Sequence, residues 1–172
     1  MRIQLSKAKK AVCLAALFLV FTMPTPGYAQ GDQVAALRAA TAQYHRLETA
    51  MQAGYDLMPG LSHCIAKPGV GAMGYHYFNQ ALINDIGVDP LRPEALVYAP
   101  GPNGVRQLVA VEYVVPIDAW HAAGNTEPPM VLGMHMHAGP NPALRWYIFH
   151  IWVWRHNPAG IFEDWNPAIT CN

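Results

Sequence analysis

The chain has 172 residues, with 11 basic side chains, 11 acidic side chains, 8 histidines and 3 cysteines. Four of the basic residues lie within residues 1–29, so the rest of the chain carries seven basic residues against eleven acids, a net charge of −4 with histidine neutral. This balance argues against nucleic acid or an anionic membrane surface as a partner, because both need a basic face.

Residues 1–29 have the features of an export signal peptide. Basic residues come first, the apolar run Ala11–Met23 follows, and Gly27 and Ala29 place small residues before a cleavage site. The run is too short to span a bilayer comfortably, which favours cleavage over anchoring. A lipid anchor on Cys13 is the weaker alternative, because no small-residue consensus leads into that cysteine. The sequence therefore predicts a periplasmic or secreted protein with one domain, residues 30–172, and no further membrane span.

The two cysteines outside the signal, Cys64 and Cys171, are expected to form a disulfide in an oxidising compartment. The bond would close a loop of about 107 residues, which is worth nominally ~4–5 kcal/mol in the chain-entropy model. A cysteine-ligated metal is the alternative, and the lack of C-x-x-C spacing disfavours it.

The hydrophobic pattern predicts one long helix followed by strands. Asp32 is a plausible N-cap for an amphipathic helix over Gln33–Asp56, which Pro59-Gly60 ends. The further predicted elements are a short strand at 74–79, a helical turn at 80–85, strands Ala95–Ala99 and Arg106–Val115 joined as a hairpin, a helical turn at 118–123, a strand Val131–His137 and a central strand Arg145–Arg155. The expected fold class is α+β, with the N-terminal amphipathic helix packed on a curved, mainly antiparallel sheet of four or five strands.

The central strand RWYIFHIWVWR is expected to be covered on both sides, because apolar side chains alternate onto both of its faces. One predicted face carries Trp146, Ile148, His150, Trp152 and Trp154, and the other carries Tyr147, Phe149, Ile151 and Val153. His150 is the polar exception within this strand. A buried polar group without a partner costs about 1–3 kcal/mol. We therefore expect His150 to contact a polar or charged partner.

Glu112, in the apolar run LVAVEYVV, is the strongest candidate for that partner. A buried glutamate is neutral, pairs with a cation or binds a metal. His76, His137 and His150 fall in other predicted strands of the same sheet, and His135 is a weaker addition two residues before His137. Histidine and carboxylate ligands suit Zn, Fe, Mn or Cu. The sequence thus predicts a divalent metal site formed by His76, Glu112, His137 and His150, in a pocket walled by Tyr75, Trp152 and Trp154.

Two interpretations without a metal stay open: a polar network that lines a pocket, and histidines with unrelated structural roles. No motif for a catalytic serine, a phosphate loop, a dinucleotide or a zinc protease is present, so the sequence predicts neither catalysis nor its absence. The alternative functions are a non-enzymatic binding module for a small apolar or aromatic ligand and an oligomeric structural envelope protein, and the oligomeric state is open.

The segments GAMGYHYFN, PEALVYAP, VAVEYVVP and HIWVWRHNPAGIFEDWNP resemble those of a family of small, exported, uncharacterised bacterial proteins. The resemblance covers most of the chain after the signal, including one cysteine near the start and one at the end. It implies that His76, Glu112, His137 and His150 match the family pattern, with His135 matched less securely. No biochemical activity follows from this resemblance.

Overall fold

The structure is a computed structural model that describes residues 30–171. The export signal predicted for residues 1–29 lies outside the described residues. Within residues 30–171, none of the helices combines the length and apolarity needed to cross a membrane. The fold class is α+β, as predicted, with helices first and an antiparallel sheet after them.

The N-terminal helical segment is broken, so the prediction of one helix over Gln33–Asp56 is wrong. Helix α1 covers Gln30–Thr41, a 3₁₀ turn covers Ala42–His45 and helix α2 covers Leu47–Gln52. The hydroxyl of Thr41 donates a hydrogen bond of 2.8 Å to the carbonyl oxygen of Leu37, and such back-bonding often bends helices. Arg46 then adopts an extended backbone, φ −90° and ψ 111°, which separates the 3₁₀ turn from α2.

Nine strands lie within residues 30–171. They are β1 (Tyr55–Leu57), β2 (Ile65–Lys67), β3 (Gly71–Asn79), β4 (Ala95–Pro100), β5 (Arg106–Pro116), β6 (Met130–Val131), β7 (Met134–His135), β8 (His137–Ala138) and β9 (Trp146–Ile151). Seven of them form one sheet in the order β1-β3-β4-β5-β9-β8, with β2 also paired to β3, and all its pairings are antiparallel. The expected four or five strands match the long ones, β3, β4, β5 and β9. Strands β1, β2 and β8 add two or three residues each, which is too short for a hydrophobic pattern to reveal.

The hairpin and both helical turns are confirmed. Strands β4 and β5 pair through Pro100 and Arg106, with a 3₁₀ turn at Pro102–Gly104 between them. Helices α3 (Gln80–Asp85) and α4 (Ile117–Ala122) occupy the positions of the predicted turns.

The predicted strand Val131–His137 does not exist as one element. Leu132 and Gly133 both have positive φ, 50° and 78°, and form a two-residue turn between β6 and β7. Positive φ at both central residues is the signature of a tight hairpin. His135 therefore lies on the small β6-β7 ribbon, whereas His137 lies on β8 at the edge of the main sheet.

Strand β9 ends at Ile151, before the predicted end at Arg155. Beyond that point the amides of Trp154 and Arg155 both donate hydrogen bonds to the carbonyl oxygen of Val109, so the alternation of the strand is lost. Trp154, predicted to share a face with Trp152, packs instead in the core cluster on the side of helix α1.

Before that point the predicted faces hold. Phe149 and Ile151 lie in the same core cluster as Leu37 of α1, whereas Ile148 belongs to a separate cluster with Phe78 and Ala95. Leu37 of α1 thus packs on one face of the sheet, and His150 points to the other.

The predicted disulfide Cys64–Cys171 is present and spans 107 residues of sequence, with the two Cα atoms 5.6 Å apart. It ties the end of the described chain to the segment just before β2. Close to it, Asn166 and Ala72 exchange backbone hydrogen bonds of 3.1 Å, so the C-terminal tail is held along the start of β3.

Candidate metal centre

Residues on three long strands of the main sheet, β3, β5 and β9, form the site, and β4 lies between β3 and β5. Glu112 on β5 lies directly opposite His150 on β9, and on its other side it lies opposite Ala95 of β4. His76 on β3 lies opposite Val97 of β4. Because antiparallel partners share a face, the small side chains of β4 leave His76 and Glu112 free to meet above that strand.

The ligand-type atoms of these three residues converge. The two Nε2 atoms of His76 and His150 are 3.1 Å apart. The carboxylate of Glu112 places one oxygen 3.5 Å from His76 Nε2 and the other 3.6 Å from His150 Nε2. All three side chains are buried, with exposed fractions of 1%, 5% and 0% for His76, Glu112 and His150. The group fits the spacing of a metal-ion site.

Hydrogen bonding within the group is incomplete. The distances from Glu112 to the two imidazoles exceed the 2.7–3.2 Å of a good N–H···O bond. Nδ1 of His76 is buried with no hydrogen-bond partner among residues 30–171. Such unpartnered polar atoms are uncommon in folded proteins, since each carries a desolvation cost.

Burial dominates the electrostatics of Glu112 and His76. It raises the pKa of Glu112 to about 7. It also lowers the pKa of His76 to about 3, with the neighbouring His150 acting in the same direction, so His76 is a neutral imidazole at ordinary pH. A neutral imidazole is the form in which histidine binds a metal.

His150 has the opposite balance. Burial opposes its charged form, but Glu112 and Asp164 together outweigh burial and raise the pKa of His150. The other ring nitrogen of His150, Nδ1, lies 3.2 Å from Oδ1 of Asp164, which orients the ring.

Asp164 is the site residue that sequence reasoning missed. It lies between two histidines, because its other oxygen, Oδ2, is 3.1 Å from Nε2 of His137. Burial alone would raise the pKa of Asp164, but the hydrogen bonds from His137 and His150 outweigh it and hold the pKa well below its usual range. The available sequence signal was the position of Asp164 in a loop between two Asn-Pro pairs, Asn157-Pro158 and Asn166-Pro167.

His137 therefore stands outside the three-residue group. Its side chain is 47% exposed, and its contact is with Asp164 rather than with Glu112. The hydrogen bond to Asp164 raises the pKa of His137. His135 is exposed on β7, where its Nδ1 lies 3.2 Å from the carbonyl oxygen of Pro128.

His76 and Glu112 line part of a cavity of about 220 Å³. The aromatic residues in its wall are Phe78 and Trp146. The three aromatic residues that the sequence suggested as pocket walls lie elsewhere. Tyr75 stacks under the guanidinium of Arg106 at 3.7 Å, Trp152 donates to the carbonyl oxygen of Glu163 at 2.6 Å, and Trp154 packs against His45.

Comparisons of the chain with protein-family models, with curated protein sequences and with solved structures gave no match. The resemblance to exported bacterial proteins stays a prediction, and a function must be inferred from the geometry of the site.

Proposed function

We propose that this protein binds a divalent transition-metal ion through His76, Glu112 and His150. The spacing of the three ligand atoms carries the proposal. Tetrahedral zinc with bonds of about 2.0–2.2 Å holds its ligand atoms about 3.3–3.6 Å apart. The two imidazole nitrogens are 3.1 Å apart, one carboxylate oxygen of Glu112 lies 3.5 Å from Nε2 of His76, and the other lies 3.6 Å from Nε2 of His150. One ligand atom from each of the three residues lies within 4.8 Å of the other two.

The chemistry of the ligands favours zinc or iron over calcium or magnesium. Calcium and magnesium prefer oxygen ligands. Two imidazoles with one carboxylate form a known catalytic zinc set, and the same combination binds iron in non-haem enzymes. In both classes the protein leaves at least one coordination position open.

The hydrogen bond behind His150 supports the same conclusion. Asp164 is an ionised acceptor, so Nδ1 of His150 carries the proton and Nε2 is left with a lone pair when the ring is neutral. That lone pair faces the second imidazole and the carboxylate of Glu112. With the proton of His76 on Nδ1, all three groups present lone pairs to one another, and a cation satisfies them best.

A metal-free network is the rival. In that case His150 is protonated on both nitrogens and forms an ion pair with Glu112, and the cavity belongs to a binding module for an apolar ligand. The apolar lining of the cavity favours this second candidate, but the long distances to Glu112 count against a well-formed ion pair.

A metal ion at this position would supply Lewis acidity to a molecule in the adjacent cavity. Glu112 and His76 face that cavity, whereas His150 is completely buried behind them. We propose in addition that the protein works outside the cytoplasm. The disulfide supports this, because such bonds persist in oxidising compartments.

The test is metal analysis by inductively coupled plasma mass spectrometry on the untagged chain from Gln30, purified without chelator and also after reconstitution with zinc or iron(II). We expect close to one metal ion per chain, lost in His150→Ala. His135→Ala is the matched control, because it removes an exposed imidazole from another part of the molecule.

Thermal denaturation then separates metal binding from simple structural damage. The wild-type melting temperature should fall when a chelator is added, and that of His150→Ala should not change. No metal in the reconstituted wild type, or an equal loss of stability in the variant with and without chelator, would contradict the proposal and favour the metal-free network.

A further inference from the structure

The cavity beside the proposed metal centre is lined mainly by apolar side chains. His76, Glu112, His63 and Asn141 are the polar side chains in its wall. The apolar side chains are Leu61, Ile65, Met73, Leu144 and Ile148 together with the aromatic pair. None of the described residues lining it is lysine or arginine. A phosphate or a polyhydroxylated molecule would therefore find few partners along the walls, whereas an apolar body would be well matched.

The size of the cavity limits the ligand. A dry cavity of about 150 Å³ accommodates benzene. The volume here, about 220 Å³, leaves room for one ring and a small polar group. A sugar chain, a nucleotide or a long lipid could place only part of its length in this volume.

The aromatic part of the wall is held in a defined geometry. The rings of Phe78 and Trp146 have their centroids 5.5 Å apart and are inclined by 59°. The Phe78 ring also stacks on His76, with centroids 5.8 Å apart and planes 16° apart. One side of the cavity is thus an aromatic surface that begins at a proposed metal ligand, and a flat ring can pack against it favourably.

We propose that this cavity binds a small molecule with an aromatic or compact apolar body and one oxygen-donor group that reaches the metal. This inference rests on the proposed metal site, because the metal supplies the attraction for the oxygen group. The apolar walls then select among molecules that carry such a group.

Hydroxamates test the inference directly, since all of them present the same pair of metal-binding oxygens on different bodies. Calorimetric titration of the zinc-loaded chain with acetohydroxamate and benzohydroxamate compares a methyl group with a phenyl ring. We expect benzohydroxamate to bind about tenfold or more tightly, because its ring buries more apolar surface. The metal-free protein should bind neither compound measurably.

Two matched leucine variants test whether the cavity wall causes the preference for benzohydroxamate. Leu61 and Leu57 are both half-buried, but Leu61 lines the cavity whereas Leu57 packs with the core cluster on the side of α1. Leu61→Ala should reduce the preference for benzohydroxamate about threefold or more by removing apolar contact. Leu57→Ala should leave both affinities unchanged.

The possible failures are distinct. Bound zinc with equal affinity for the two hydroxamates would overturn this inference and leave the metal site intact. Benzohydroxamate binding that does not depend on zinc would overturn the link between the ligand and the metal. A chain that takes up no zinc would overturn the proposed function, and the inference with it.

Discussion

The imidazole of His150 is held from one side by Asp164, with His150 Nδ1 and Asp164 Oδ1 3.2 Å apart. The opposite nitrogen of the same ring points at His76 and Glu112. A carboxylate behind a histidine fixes the ring orientation and its tautomer, and it increases the basicity of the nitrogen that binds the metal. Asp164 is therefore a positioning residue, although it does not touch the proposed ion site.

Asp164→Asn should weaken zinc binding by about 10- to 100-fold, the usual cost of losing such a support. The amide can still accept a hydrogen bond, so the loop should keep its conformation while the negative charge is lost. Competition with a zinc-binding dye measures the affinity. Glu163→Gln is the control, because it neutralises the neighbouring acid and should have little effect. Equal affinities for Asp164→Asn and the wild type would remove Asp164 from the site.

Glu112→Gln should abolish zinc binding and yet stabilise the metal-free protein at pH 8. Burial raises the pKa of Glu112 to about 7 from an ordinary value of 4.5, so folding disfavours the charged form. This cost is absent below about pH 4.5 and complete above about pH 7. We expect a gain of about 1–3 kcal/mol at pH 8 that shrinks towards pH 4.5.

Urea denaturation of the chelator-treated variant and wild type at both pH values measures that difference. The metal-free rival makes the opposite forecast. If the attraction between Glu112 and a protonated His150 outweighs the cost of burying the charge of Glu112, replacement of Glu112 by glutamine should lower the stability of the metal-free protein at neutral pH.

The three converging residues were predictable because each interrupts an apolar strand pattern. His76, Glu112 and His150 stand in long strands, where period two shows which polar side chains must enter the core. Burial of a polar group within a strand demands a partner, and the neighbouring strands of a small sheet are the nearest source of one. The prediction of these three residues therefore does not depend on the conformation of the loops.

Contacts set by loops and turns could not be predicted in the same way. Asp164 reaches His150 only because the segment after β9 folds back, and nothing periodic marks that path. His137 lies opposite Ile148 on the edge strand, but its Nε2 contacts Asp164 of that same loop. The predicted strand Val131–His137 was wrong because no sequence signal marks the turn at Leu132 and Gly133, since leucine rarely adopts positive φ. The break after Thr41 likewise falls inside an otherwise regular helical pattern, where the Thr41 hydroxyl donates to the carbonyl oxygen of Leu37.

Removing the disulfide should destabilise the protein without touching the metal site. The loop between Cys64 and Cys171 spans 107 residues, and closing a loop of that length is worth about 4–5 kcal/mol in the chain-entropy model. The double variant Cys64→Ser with Cys171→Ser should lose about that much in urea denaturation, and reduction of the wild type should have the same effect. Where the double variant stays folded it should retain its zinc, because neither cysteine belongs to the ligand set. Loss of zinc from a folded double variant would point to a cysteine ligand instead.

Glu94 provides a pH test that is independent of the metal ligands. It is 2% exposed, and its Oε2 accepts a hydrogen bond of 3.0 Å from the amide of Val114. Burial raises the pKa of Glu94 to about 8 from an ordinary 4.5. Between about pH 4.5 and pH 8, Glu94 is therefore protonated in the folded protein and ionised in the unfolded chain. The contribution of Glu94 to stability consequently falls as the pH rises through that range.

Glu94→Gln keeps an acceptor for the Val114 amide and cannot ionise. Its stability should equal that of the wild type to within about 1 kcal/mol near pH 4.5 and exceed it by about 1–3 kcal/mol above pH 8. Urea denaturation of both proteins across this range, with chelator present, measures the divergence, and Glu127→Gln in the loop before β6 serves as the exposed control. Parallel stability curves for Glu94→Gln and the wild type would mean that Glu94 ionises normally in the folded protein. A stability difference between Glu94→Gln and the wild type that grows from pH 4.5 to pH 8 would identify Glu94 as a second buried carboxyl group, after Glu112, that folding keeps protonated near neutral pH.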